Sequence, residues 1–255
     1  MRSLSLLAIK DKQEFLGVSW TMRAYVFEQQ DDRRAALIAE MRTSGFEPQI
    51  IEPEFFQSDL SVLLQPGHET RAVMLGECKE VRSYIRAMRN AGCANPIVVF
   101  RNFRNAQDTS ELLNLGADDV IVAPFRGEEI MSRTNSIIRR LCGHAADNVV
   151  VGELTAYFDG RDPIVSGSRI KLSKREHSVF QHLALNPHKV ISKDAIYDAV
   201  YGASIDQPFD KVIDVYICKL RKKIASASES GWQYIETVHG RGYKLSMPEA
   251  MSDAS

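Results

Sequence analysis

With 255 residues, 44% of them hydrophobic and 25% charged, the chain can fill one or two ordinary globular cores. Its 32 basic and 33 acidic side chains leave a formal charge of −1, so no overall basicity points to nucleic acid. No apolar run reaches the roughly 18 residues of a bilayer span. Cys78, Cys93, Cys142 and Cys218 show neither CxxC pairing nor histidines at zinc spacing, which argues against a disulfide framework, a metal site or a cofactor and for a reducing cytoplasm.

Residues 1–21 hold a short apolar patch without a small-residue cleavage site. They fit no element of the adjoining domain and read as an extension, with Met22 an alternative start. From Met22 onward, short apolar runs alternate with amphipathic stretches. Ala24–Phe27, Pro48–Ile51, Ala72–Leu75, Ile97–Phe100 and Val120–Val122 read as buried strands. Helices are predicted near 32–43, 54–64, 78–90, 107–115 and 127–141. This alternation predicts βαβ units and a doubly wound, five-stranded parallel sheet over 22–141. Neither GxGxxG after the first strand nor GxxxxGK[ST] occurs, so dinucleotide and P-loop binding lack support.

A polar linker, 142–148, leads to a second domain over 149–247 and a tail over 248–255. Short strands are predicted at Val149–Val151, Thr155–Phe158, Pro163–Val165 and Arg169–Leu172, then helices at Lys174–Leu185 and Lys193–Tyr201. His177, His182 and His188, on or near the first of these helices, lack partners at catalytic spacing and are expected to face solvent. The stretch KVIDVYICKLRKKI comes next, with Ile213, Ile217, Leu220 and Ile224 on one helical stripe. Lys211, Val215, Cys218 and Lys222 lie opposite, with Lys219, Arg221 and Lys223 on the flanks. A hairpin, QYIETVHGRGYKL, turns at Gly240-Arg241-Gly242. A helix that buries one side and carries cations on the other suits the major groove, and the hairpin offers Arg241 to the backbone beside it. A solvated basic face is the plainer reading of the helix alone; the hairpin at this distance favours double-stranded DNA. Trp232 and Tyr234 are expected to anchor the core or the hairpin.

The segments KLSKREHSVFQHLALNP, VISKDAIYDAVYG, KVIDVYICKLRKKI and YIETVHGRGYKL, in that order, resemble the winged-helix domain of OmpR/PhoB-type response regulators over about the last hundred residues. The wording of the last two is especially similar to the CtrA cell-cycle regulators. The resemblance implies a four-stranded sheet, three helices and a C-terminal wing, with the third helix in the major groove. It also implies an RNA polymerase contact through the loop Gly202–Pro208.

Over 22–141 the chain resembles a receiver domain whose chemistry is gone. A working receiver holds Mg²⁺ on an acidic pair and phosphorylates an Asp, with a hydroxyl and a Lys beside it. Here the pair reads Glu28-Gln29, the nucleophile position falls on Gly76 beside Glu77, the hydroxyl position on Arg101 and the Lys position on Ala123. The frame is kept in Gly116-Ala117-Asp118-Asp119 and Pro124-Phe125, so no aspartyl phosphate is expected. Glu77 could imitate an acyl phosphate, but a solvated residue at the start of the next helix is the favoured reading. Arg101 could pair with Glu28 or Glu77 and replace the missing metal with an ion pair.

The resemblance further implies a homodimer through the fourth helix, fifth strand and fifth helix. Glu111, Asp118, Asp119, Glu128, Arg133 and Arg140 supply its charges, with Asp119 and Arg133 where relatives form cross-subunit bridges. A merely soluble surface is the alternative. On DNA, Lys211, Tyr216, Arg221 and Lys223 are expected at phosphates, while Val215, Cys218, Lys219 and Lys222 can reach base edges. Asp214 either accepts from a cytosine amine or orients Lys211 or a neighbouring helix, the second being favoured. Arg241 is expected at the minor groove.

A dead receiver joined to this winged helix resembles the orphan flagellar regulators of alphaproteobacteria, FtcR/Rem, which implies activation of flagellar genes without a matched kinase. A CtrA-like cell-cycle regulator is the runner-up. An interaction module that sequesters a kinase or polymerase is the rival of another class. No enzyme is expected, because no nucleophile, base and orienting group occur together.

Overall fold

The computed structural model describes residues 22–64, 71–201 and 211–247. The expectations for residues 1–21, for Gly202–Pro208 and for the tail lie outside the described residues. The chain divides into two compact units, one ending at Leu141 and the other beginning at Cys142.

In the first unit the elements run β1 (Met22–Phe27), α1 (Asp31–Thr43), β2 (Phe46–Ile50), β3 (Ala72–Leu75), α2 (Val81–Asn90), β4 (Ile97–Arg101), α3 (Ala106–Asn114), β5 (Asp119–Val122) and α4 (Gly127–Leu141). The strands pair in parallel in the order β2-β1-β3-β4-β5, the doubly wound arrangement expected. All four residues of β3 and all five of β4 are buried, because helices cover both faces and the strands can then be apolar throughout. Phe27, Phe56 and Tyr84 stack and tilt against one another beneath the sheet, with ring centroids 4.0–5.5 Å apart.

One expected helix is absent. Instead of a helix over 54–64 there are two short 3-10 turns, Pro53–Phe56 and Leu60–Leu64. Asp59 separates them, its carboxylate accepting from the backbone N–H and the hydroxyl of Ser61. A side chain that satisfies the local backbone in this way competes with a continuous helix.

The β1–β3 junction is where the strand order reverses, and in such sheets the crevice beyond the carboxyl ends of the strands is the natural site. Glu28, Gly76 and Arg101 all stand at those ends.

The second unit begins with an antiparallel sheet, β6 (Asn148–Val151), β7 (Leu154–Tyr157), β8 (Ile164–Val165) and β9 (Ser168–Arg169). Helix α5 (Lys174–Leu185), β10 (Val190–Ile191), α6 (Lys193–Val200), α7 (Lys211–Ala227) and the hairpin β11 (Ile235–Val238) with β12 (Gly242–Leu245) complete it. Ser173 and Glu176 close a capping box at the start of α5. This helix is buried nearly all round its last three turns, and His177 and His182 are 0% and 4% exposed. That overturns the expectation that they face solvent. His177 bonds through Nε2 to the Arg161 carbonyl at 3.1 Å, and burial lowers its pKa. It is a neutral core residue. His188, beyond the helix, is exposed.

Candidate nucleic-acid interface and receiver-like pocket

Helix α7 buries Ile213, Ile217, Leu220 and Ile224, none more than 2% exposed. Each such side chain removed from water stabilises the domain by roughly 1.5–3 kcal/mol, so the stripe fixes which face looks outward. That face carries Lys211, Val215, Cys218, Lys219 and Lys222, all exposed. Val215 is 49% exposed, an apolar group held in water at the centre of a cationic face. The hairpin stands beside it, paired Ile235↔Leu245 through Val238↔Gly242, with Arg241 exposed at its tip.

The hairpin is seated by Gly242, whose φ is +137°. A Cβ there would lie 1.9 Å from the Ile191 carbonyl oxygen, where β12 pairs with β10. Only glycine allows that approach.

Three residues expected at phosphates are engaged inside the domain. Arg221 donates to the Ile235 carbonyl at 2.8 Å and to the Thr237 hydroxyl at 2.7 Å, and so braces α7 against the wing. Lys223 donates to the Lys171 carbonyl at 2.8 Å and to buried Glu176 at 2.6 Å. Tyr216 shares a hydroxyl bond with Tyr201 at 3.1 Å. Burial, and then this bond, push Tyr201 up to about 12. The reason is position: the flanks of the stripe already lie against α5 and the hairpin, and a flanking cation finds a carbonyl before it finds solvent.

Asp214 takes the favoured of its two readings. It pairs with Lys193 of α6 at 2.8 Å and accepts from the Tyr243 hydroxyl of the wing. Partial burial raises its carboxyl, but the bonds from Lys193 and Tyr243 outweigh it and hold the pKa below the carboxylate range. Burial and the bond to Asp214 push Tyr243 up to about 12. The exposed outer face of α7 is thereby reduced to Lys211, Val215, Cys218, Lys219 and Lys222, with Arg241 exposed in the adjoining hairpin. Tyr234 is a core anchor as expected, 1% exposed, its hydroxyl accepting from the Glu153 N–H. Trp232 remains 37% exposed.

In the first unit, Glu28 is 3% exposed beyond β1. Gln29 is exposed, and Ala123 lies exposed beyond β5, each without the charge a receiver carries there. Gly76 is buried beyond β3, and a Cβ on it would fall 2.3 Å from a Glu28 carboxylate oxygen. Arg101 does not pair with Glu28 or Glu77. It turns to α3 and donates to Asp108 at 2.8 Å, where Arg82 also binds at 2.6 Å. Burial raises the Asp108 carboxyl, and the two guanidiniums overcome this and lower it.

The cation that reaches Glu28 and Glu77 is Arg33 of α1, missed in the sequence because nothing local marks it. Its Nη2 lies 3.3 Å from Glu28 and its Nη1 3.6 Å from Glu77. Glu77 is exposed in the loop before α2 and accepts from Asn102 at 2.7 Å. The Mg²⁺ of a receiver does not fit this set: one carboxylate of the acidic pair is gone, the nucleophile position has no side chain, and a guanidinium reaches both remaining carboxylates. Among the described residues no group of three or more His, Cys, Asp or Glu could hold a metal ion.

Of the charges expected on a dimer surface, Asp118 is used internally. It accepts from Arg89 at 2.8 Å and from the Ile97 N–H at 2.7 Å, fixing the start of β4. Asp119 and Arg133 meet each other within the chain at 3.0 Å. Glu111 binds Arg82 at 3.0 Å, while Glu128 and Arg140 are exposed. Among the described residues, no helix is long and apolar enough to cross a membrane.

The family described as transcriptional regulatory protein, C terminal, matches residues 167–245, which include α5, α6, α7 and the wing. The cell cycle response regulator CtrA of Brucella anthropi is 37% identical over 166 residues, 65% of this chain and 71% of that protein. Its counterpart in Brucella ovis is 36% identical over the same span. Among solved structures, the Thermotoga maritima OmpR/PhoB homolog DrrB is similar at 18% identity and a TM-score of 0.37, covering 89% of this chain and 99% of that one. The domain match and the CtrA relatives decide it: the chain belongs to the OmpR/PhoB family of DNA-binding response regulators.

Proposed function

We propose that this response regulator controls transcription by sequence-specific binding of double-stranded DNA and works without an aspartyl phosphate. The observation that carries the reading is Gly76. The position that should present a nucleophile has no side chain, and Glu28 fills the space a Cβ would enter. Lys219 and Lys222 read base edges with Val215 and Cys218, while Lys211 meets phosphates and Arg241 borders the minor groove; the support is their exposure on one face and on the wing beside it.

Flagellar promoters are the proposed targets, on the resemblance of a degenerate receiver joined to this winged helix. The similarity to CtrA supports a second reading, control of cell-cycle genes. Two copies joined through α3, β5 and α4 would set two α7 helices on half-sites roughly 10–11 bp apart, with Asp119 and Arg133 exchanging their partner within the chain for one across the interface. RNA polymerase is the proposed partner at the promoter, by resemblance alone.

The test is to treat the purified protein with acetyl phosphate and Mg²⁺, then measure hydroxylamine-labile phosphate and DNA affinity. No labile phosphate and unchanged affinity are expected. Stoichiometric labelling would contradict the reading. Sedimentation as a monomer, both free and on DNA, would remove the dimer.

A further inference from the structure

We infer that Arg33 is the resident cation of the receiver-like pocket, a guanidinium held by Glu28 and Glu77 where the fold would otherwise recruit a divalent metal. The inference rests on the phosphorylation-independent reading and deepens it. Phosphate chemistry is absent because a nucleophile is lacking, and the cation site is also closed from within.

Four observations carry it. Glu28 is 3% exposed at the carboxyl end of β1, and a carboxylate so placed needs a cation or a full set of donors. It accepts from the Gln30 N–H at 3.0 Å, and the Arg33 guanidinium supplies the charge at 3.3 Å. The same guanidinium lies 3.6 Å from Glu77, so one cation reaches two carboxylates that follow different strands at the point where the sheet order reverses. Arg33 Nη2 is buried and makes no aligned hydrogen bond; it acts through charge, as a metal would. Finally, Arg33 sits in the first turn of α1, where the helix dipole opposes a cation. A positive charge persists there because the carboxylates hold it. Neighbouring Arg34 is turned away, donating to the Glu28 carbonyl at 3.0 Å and pairing with Asp31.

The experiment compares the full chain with Arg33→Ala by thermal unfolding and by Mn²⁺ titration followed by electron paramagnetic resonance. The wild-type chain is expected to bind no Mn²⁺ and to show a Tm that MgCl₂ does not move beyond the effect of matched NaCl. Loss of Arg33 leaves Glu28 buried and uncompensated, so the variant should melt about 5–10 °C lower. Mg²⁺ or Mn²⁺ should return a good part of that loss, and NaCl at equal ionic strength should not. Glu77→Gln in the Arg33→Ala background should abolish the rescue.

A variant that melts like the wild type, or one that no divalent ion rescues, would overturn the inference. Saturable Mn²⁺ binding by the wild-type chain would overturn it too, and that measurement needs no variant to fold. Because none of these arms involves a phosphodonor, they can fail while the acetyl phosphate result stands, and the reverse holds equally.

Discussion

The outer face of α7 and the crevice at the ends of β1, β3 and β4 are both rich in charge, and they differ in where that charge goes. On α7, Lys222 and, in the wing, Arg241 are exposed and make no ion pair with another described residue. In the crevice the guanidiniums turn inward: Arg33 to Glu28 and Glu77, Arg101 and Arg82 to Asp108. A charge without an internal partner keeps its capacity to attract a ligand, while a paired and half-buried one has been committed to holding the fold. The same distinction runs through α7 itself, where Arg221 and Lys223 belong with the crevice and Lys222 with the ligand face.

The largest expected effect falls on the hinge between these classes, the seat of the wing. Gly242→Ala sets a methyl against the Ile191 carbonyl at a φ of +137°, so the second unit should lose about 3 kcal/mol or more, read by urea unfolding followed through Trp232 fluorescence. A variant as stable as the wild type would mean that β10 and β12 can part without cost.

Arg221 and Lys222, neighbours in sequence, should part company. Arg221→Ala removes two hydrogen bonds to the hairpin and should cost about 1–3 kcal/mol of stability. Lys222→Ala should leave stability within about 0.5 kcal/mol and cost about 1–3 kcal/mol of DNA affinity, with specificity relaxed at one base position. The reverse result would return Arg221 to the DNA and make Lys222 the structural residue.

The smallest effect depends on pH. Burial raises the Glu176 carboxyl, but Lys223 and Ser173 outweigh it and lower its pKa below 4.5. A carboxyl depressed in the folded state contributes stability that is complete above its unfolded pKa and is lost as pH falls through the folded one. Lys223→Ala should therefore destabilise by roughly 1 kcal/mol at neutral pH, Lys223 being 37% exposed. The gap from the wild type should narrow below about pH 4.5, in acid titrations of the melting temperature. A gap that does not change with pH would assign Lys223 to its carbonyl bond alone.

Much of the fold is readable from residue order, and the exceptions share one cause. The central parallel strands announce themselves because burial on both faces makes them apolar without interruption, as in Ala72–Leu75 and Ile97–Phe100, whereas the edge strand Phe46–Ile50 is polar and largely exposed. Helix α7 is readable because one stripe and one cationic face repeat with helical period. His177 and His182 are misplaced by periodicity because a central helix buries polar positions that the pattern alone assigns to solvent. Residue order offers Arg101 as one candidate for the cation of the crevice, and the cation stands instead at Arg33, since its partner Glu77 is far along the chain and meets it only once β1 and β3 lie side by side. Arg221 and Lys223 look like ligand-face cations in the sequence because their carbonyl and carboxylate partners come from β11 and the start of α5. Local pattern carries the elements, and tertiary pairing decides which charges remain available.

Genome-wide footprinting of the native protein beside Lys219→Ala tests whether the exposed face of α7 reads sequence. Sharp peaks for the native protein that vanish in the variant are the expected result, with the loss in purified complexes amounting to about 1–3 kcal/mol at one base position. Their location at flagellar or at cell-cycle promoters decides between the two regulons. Peaks that persist unchanged in the variant, or no specific peaks from the native protein, would contradict the account and favour a domain pair built to hold a protein partner.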